Sequence, residues 1–155
     1  MSMFVTVRPA SEQDWEAIAA LLTAARLPLA GGREHVTDFL TAWQGPDLVG
    51  VAGLEIYGDA GLLRSVAVTE SARGTGLGQQ LVWQVLRTAR ERGLKTVALL
   101  TTTAPGFFPR FGFTKADRNQ LPAALEASAE FRGACPASAI AMLVSMMDQK
   151  GGASK

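Results

Sequence analysis

The sequence predicts an α/β (α+β) domain built on a single mixed central sheet of about six or seven strands, flanked by helices. Three features point there. Residues 39–68 read as three consecutive antiparallel strands joined by glycine-containing turns. A strand, a long amphipathic helix and a second strand then follow across residues 61–101. Finally, 155 residues is a common size for one hydrophobic core.

Phe4 to Arg8 alternates strand-forming residues and ends at Pro9, which cannot continue a ladder. Ser11 is a good N-cap with Asp14 three positions on, and Trp15, Ile18, Leu22 and Ala25 recur at helical spacing. Leu27 to Gly32 is a loop containing Pro and Gly, and Arg33 to Thr37 fits a short helix or turn. The strands Phe39 to Gln44 and Leu48 to Tyr57 flank the turn Gly45-Pro46-Asp47, and Gly58-Asp59 leads into Gly61 to Val68. Apolar residues at nearly every position of these strands imply cover on both faces and make Glu55 and Arg64 conspicuous.

Leu77, Leu81, Val82, Val85, Leu86 and Ala89 define a helix from Leu77 to Arg92 that Gly93 terminates. Val97 to Thr101 is a buried strand, and a right-handed crossover makes 61–68 and 96–101 parallel neighbours. Pro105 to Phe111 reads as a short helix ended by Gly112, Phe113 to Lys115 as a short strand, Pro122 to Ala129 as a helix and Ala139 to Met146 as a last strand. Residues 1–148 are expected to form the one domain, with 149–155 a frayed tail.

Apolar residues make up 48% of the chain and charged ones 19%, the balance of a globular protein rather than a disordered one. A net charge of +1 argues against a nucleic-acid partner, which calls for a basic excess. Met1 to Arg8 lacks the form of a signal peptide, and no apolar run approaches the roughly 18 residues of a membrane span, so a cytoplasmic protein with no membrane partner is expected. Cys135 is alone and the single histidine, His35, is distant in sequence, so no metal site is expected.

The chemistry concentrates in Arg73-Gly74-Thr75-Gly76-Leu77-Gly78, which follows one predicted strand and opens the long helix. Glycines let backbone approach a ligand, and the N–H groups at a helix N-terminus, together with its dipole, favour an anion such as a diphosphate. A nucleotide P-loop needs Gly-x-x-x-x-Gly-Lys-Ser/Thr, which does not occur; the dinucleotide fingerprint fails because Gln79 stands where its third glycine belongs.

The Arg-x-x-Gly-x-Gly pattern of Arg73, Gly76 and Gly78 resembles the coenzyme A pyrophosphate loop of GNAT acetyltransferases. The order of predicted elements over residues 4–147 is that family's order, and Gly112-Phe113 after Phe107-Phe108 resembles its aromatic-x-x-x-Gly-Phe element. The resemblance implies parallel fourth and fifth strands that splay apart with acetyl-CoA between them. It implies that Val66, Ala67 and Val68 pair with the pantetheine arm. Arg73, Gly74, Thr75, Gly76, Leu77, Gly78 and Gln79 would hold the diphosphate, with Phe107 and Phe108 also beside the coenzyme. A backbone N–H near Val66 would polarise the thioester carbonyl.

An amine attacks a thioester only when neutral, and a carboxylate in apolar surroundings can take its proton. Glu55 is the candidate general base, the alternative being a solvated carboxylate at a strand end; Asp59 and Glu70 are weaker candidates beside turns. Arg64, with Ser65 beside it, is a candidate anchor for a substrate carboxylate, the alternative being an ion pair with Glu55. An even-numbered loop at Gly58-Asp59 puts Glu55 and Arg64 on one face. Many GNAT enzymes carry a tyrosine after the fifth strand as general acid. Phe108 stands there in this chain, and the only tyrosine, Tyr57, is on another strand. The general acid therefore stays open, and so does a non-catalytic CoA-binding module. His35 is expected at the surface, Cys135-Pro136 as buried filler, and Arg87, Arg90, Arg92 and Lys95 as solvated charge near a helix end.

Several strings are similar to a narrower GNAT branch associated with bacterial arsenic-resistance gene clusters. They are Gly53-Leu54-Glu55, Leu63-Arg64-Ser65, Leu99-Leu100-Thr101-Thr102-Thr103-Ala104, Phe107-Phe108, Glu130-Phe131, and Cys135-Pro136 with Ser138-Ala139. That similarity implies acetylation of the α-amine of an amino acid or an amino-acid-like toxin, such as phosphinothricin or its arsenic analogue arsinothricin, with Arg64 or Arg118 on the carboxylate. The expected activity is direct transfer of acetyl from acetyl-CoA to a small-molecule primary amine, by a monomer or homodimer. Acetylation of protein or peptide amines is the alternative, against which the lengths of 27–37 and 119–134 argue, since both suit a covered pocket.

Overall fold

A computed structural model describes residues 4–134 and 138–146. Cys135 and Pro136, and the tail 149–155, lie outside the described residues. The strands are β1 (Thr6–Pro9), β2 (Leu40–Gln44), β3 (Asp47–Tyr57), β4 (Ala60–Val68), β5 (Thr96–Thr101), β6 (Thr114–Ala116) and β7 (Ile140–Ser145); the α-helices are α1 (Trp15–Ala24) and α2 (Leu77–Glu91). They form a seven-stranded mixed sheet in the order β1-β2-β3-β4-β5-β7-β6. The chain divides into two compact units, Met1–Leu54 with Arg64–Val85, and Glu55–Leu63 with Leu86–Lys155.

In the first unit, β1 pairs antiparallel with β2 and β2 with β3. β1 starts later than the alternation suggested and includes Pro9, which pairs with Leu40. It is the outermost strand of the sheet, so the N–H that Pro9 lacks has no second ladder to serve. The helix after it opens with a 3-10 turn at Glu12–Asp14 before α1. There the Ser11 N–H donates to the Asp14 carboxylate at 2.8 Å, and Arg8 grips the same carboxylate with two nitrogens at 2.9 and 3.1 Å. α1 ends with Arg26 at φ +61°, its N–H on the Thr23 carbonyl and the Leu27 N–H on the Leu22 carbonyl, the closure usually given to glycine. Ile18 and Leu22, one turn apart, bury with Val36, Phe39 and Val51. Gly53 makes room for that core: a Cβ there would stand 2.6 Å from the Phe39 ring.

In the second unit, Ala60, Gly61 and Leu62 pair in parallel with Thr96, Val97 and Ala98, as the crossover rule requires. β5 and β6 both pair antiparallel with β7. Gly93 at φ +80° closes α2, with the Leu94 N–H on the Ala89 carbonyl. Ala60, Leu62, Ala98, Leu121, Leu125 and Ala141 form the core, against which Tyr57, Leu100 and Phe131 pack.

Two predicted helices are shorter than expected. The segment after β5 turns helical only at Phe108, because the Thr101 hydroxyl accepts the Ala104 N–H at 3.1 Å and holds a turn first. Residues 122–129 contain a 3-10 turn, Ala123–Ala127, in place of an α-helix. Only Leu125 and Ser128 are buried there, three apart, the spacing at which 3-10 side chains eclipse.

Candidate functional site

In the first unit the main chain leaves β4 through a 3-10 turn at Glu70–Ala72 and reaches α2 through Arg73 to Gly76. The Arg73 N–H closes that turn on the Glu70 carbonyl at 3.2 Å, and the Thr75 hydroxyl donates to the Ala72 carbonyl. Gly74 at φ +81° and Gly76 at φ +86° hold a conformation that L side chains resist, and nothing lies within 4 Å of where a Cβ would project from either. The Gln80 N–H bonds the Gly76 carbonyl at 3.0 Å and starts the helix, so the amides of Leu77, Gly78 and Gln79 have no carbonyl four residues back within it. The double-glycine turn is exposed and leads into the 15-residue helix α2.

Just upstream, Val66 and Val68 are half-buried and Ala67 is buried. Ser65 is buried and takes φ +61°, a left-handed kink within β4 that the sequence pattern did not signal. Arg64, 3% exposed, sends Nη1 to the Ala30 carbonyl at 2.9 Å, Nη2 to the Pro28 carbonyl at 3.0 Å and Nε to the Ser65 hydroxyl at 3.0 Å. The guanidinium thus fastens the Leu27 to Gly32 loop to β4.

In the second unit, Glu55 is fully buried, which removes the reading of it as a solvated strand-end carboxylate. Tyr57, two residues on in β3, donates its hydroxyl to Oε1 of Glu55 at 2.5 Å. Sequence reasoning set Tyr57 aside, although residues two apart on a strand share a face and the pairing was readable from that spacing. The turn after β3 is Gly58-Asp59, the even-numbered case; Asp59 is exposed and pairs with Lys95 at 3.8 Å. Glu70, of the first unit, is also exposed.

Arg118 stacks over the Phe131 ring, 5.9 Å from its centroid, and lines a groove of about 540 Å³ together with Lys115, Gln120, Ala139 and Ile140. Phe107 and Phe108 join Phe111 in one aromatic cluster; Phe108 is buried and also meets Phe113 edge-on, while Phe107 carries the Arg110 guanidinium over its face. His35 sits half-buried in the 3-10 turn Arg33–Asp38 rather than fully at the surface. Arg90 also departs from the solvated-charge expectation, since it is half-buried and its Nε is buried without a partner among the described residues. Among the described residues no group of three or more His, Cys, Asp or Glu could hold a metal ion, and no helix is long and apolar enough to cross a membrane.

The sheet order and the glycine turn before α2 define an acetyltransferase fold, and comparison with known proteins agrees. The model of the acetyltransferase (GNAT) family matches residues 6–113, and the chain belongs to that family. It is 29% identical over 128 residues to the amino-acid acetyltransferase of Neisseria meningitidis, covering 77% of this chain and 29% of the relative. With the Mycobacterium tuberculosis amino-acid acetyltransferase it shares 36% over 95 residues, covering 58% and 53% of the two chains. Among solved structures, N-acetylglutamate synthase from Neisseria gonorrhoeae, complexed with coenzyme A and N-acetyl-glutamate, matches with a TM-score of 0.78 and 25% identity, over 94% of this chain and 36% of that one. The Mycobacterium tuberculosis protein Rv2747, in complex with CoA, matches at 0.73 and 26% over 90% and 98%. The chain thus spans 29% to 36% of the length of the two Neisseria proteins.

Proposed function

We propose that this chain transfers the acetyl group of acetyl-CoA directly to the primary amine of an amino acid or amino-acid-like small molecule. The observation that carries the reading is the turn of Gly74 and Gly76, both at positive φ and open where side chains would stand, at the start of α2. Those residues fit a diphosphate: Arg73 supplies a cation, and the amides of Gly74, Gly76, Gly78 and Gln79 supply donors. Backbone groups of Val66, Ala67 and Val68 hold the coenzyme's arm. Bound acetyl-CoA supplies an acetyl group activated as a thioester.

Glu55 takes the proton that an ammonium must lose before its nitrogen can attack. Its place on an otherwise apolar strand, buried and held by the Tyr57 hydroxyl, supports this assignment, since a base must be fixed where it meets the proton. Arg118 receives the acceptor's carboxylate, which suits a guanidinium already fixed over an aromatic face. Arg64 and Ser65 act on the acceptor through the loop that Arg64 fastens. The names of the amino-acid acetyltransferase relatives favour an α-amino acid as acceptor, and the strings of the arsenic-resistance branch extend this to phosphinothricin and arsinothricin.

The test is thiol release from acetyl-CoA with a panel of amines, alongside calorimetric titration with CoA. Turnover with glutamate-like amino acids or phosphinothricin is the expected result. Turnover with peptides alone would overturn the small acceptor, and binding without any turnover would leave a coenzyme-binding module.

A further inference from the structure

We infer that Tyr57 is a positioning residue that acts through Glu55, an inference that rests on Glu55 being the proton acceptor. A carboxylate with no exposed surface must find donors inside the protein, because a buried charge left without them is strongly destabilising. Tyr57 is one such donor, its hydroxyl on Oε1 of Glu55. The two side chains lie on one face of β3, so the chain delivers donor and acceptor together. The ring is itself held, packed against the core of Ala60, Leu62, Ala98, Leu121, Leu125 and Ala141. With two side-chain torsions to fix, that packing settles where the hydroxyl points.

A base works only if its lone pair meets the proton it removes, and orientation of this kind is a large part of catalysis by positioned groups. The Tyr57 hydroxyl occupies one carboxylate oxygen and so restrains the plane of the group. Tyr57 touches neither coenzyme nor acceptor in this role, so its removal slows turnover without weakening coenzyme binding.

The experiment is a double-mutant cycle of Tyr57→Phe and Glu55→Gln on the full chain, read as kcat and as CoA affinity by calorimetry. Tyr57→Phe is expected to lower kcat about tenfold with CoA affinity unchanged. In the Glu55→Gln background the same change is expected to cost nothing further, because the group it orients is gone. If the Tyr57→Phe loss persists undiminished in the Glu55→Gln background, Tyr57 does not act through Glu55 and the inference fails while the base survives. If Glu55→Gln alone turns over at the wild-type rate, both fail. Should Tyr57→Phe not fold, Tyr57→His, whose shorter ring cannot bring a donor to Oε1 of Glu55, takes its place in the cycle with the same expectations.

Discussion

Nε of Arg64 donates to the hydroxyl of Ser65, its own neighbour in β4, at 3.0 Å, while the backbone at Ser65 turns left-handed at φ +61°. The kink and the hydrogen bond belong together. With Nε occupied at the strand, the two terminal nitrogens reach the carbonyls of Pro28 and Ala30. A lysine has one nitrogen and cannot span the three acceptors. Arg64→Lys is expected to cost about 2–3 kcal/mol, a fall in Tm of roughly 5–10 °C at this chain length. Scanning calorimetry measures the fall, and limited proteolysis should show new cleavage within residues 27–32.

Asp14 shows a different dependence. Hydrogen bonding from Arg8 is the main cause that lowers its pKa from 3.8 to about 2; burial opposes the shift, and the Ser11 N–H adds to it. A folded pKa below the unfolded one means that stability from this group is complete above about pH 4 and disappears as pH falls through about 2. Arg8 is partly exposed, so the contribution is about 1 kcal/mol. Asp14→Asn should lower Tm at pH 6 and flatten its decline between pH 4 and pH 2, as followed by circular dichroism.

Gly53 predicts a steric effect. A Cβ there would stand 2.6 Å from ring carbons of Phe39, which is itself buried and has little room to retreat. Gly53→Ala is expected to destabilise by about 1–3 kcal/mol, read from the midpoint of urea unfolding.

Gly76 predicts the opposite balance. Nothing crowds its Cβ position, so Gly76→Ala meets only the backbone cost of φ +86°, of order 1 kcal/mol. The substitution relaxes the turn and should weaken CoA binding about fivefold to tenfold by calorimetry, while Tm changes by only a few degrees. Unchanged affinity would separate the loop from the coenzyme.

The sheet was legible where local chemistry decides it. Gly45-Pro46-Asp47 and Gly58-Asp59 mark turns by residue type, and the apolar spacing of Leu77 to Ala89 specifies α2, whose flanking strands then follow as parallel neighbours. The turn of Gly74 and Gly76 was legible because glycine is itself the signal for a left-handed backbone. Arg26 and Ser65 adopt the same conformation without a glycine, and nothing in their identity announces it. The partners of Arg64 were hidden for a related reason: backbone carbonyls accept hydrogen bonds whatever side chain they carry, so Pro28 and Ala30 leave no mark. Residues 122–129 read as a helix, yet only Leu125 and Ser128 bury there and the stretch closes no more than a 3-10 turn.

The Arg8 fork on Asp14 joins the outermost strand to the entry of the first helix through a single carboxylate. Peeling β1 from β2 therefore strips the latch from the first turn before α1, and unwinding that turn frees Arg8 in return. Amide hydrogens of the two segments should exchange as one opening event, so the exposed margin of the sheet borrows its persistence from a helix it does not pair with.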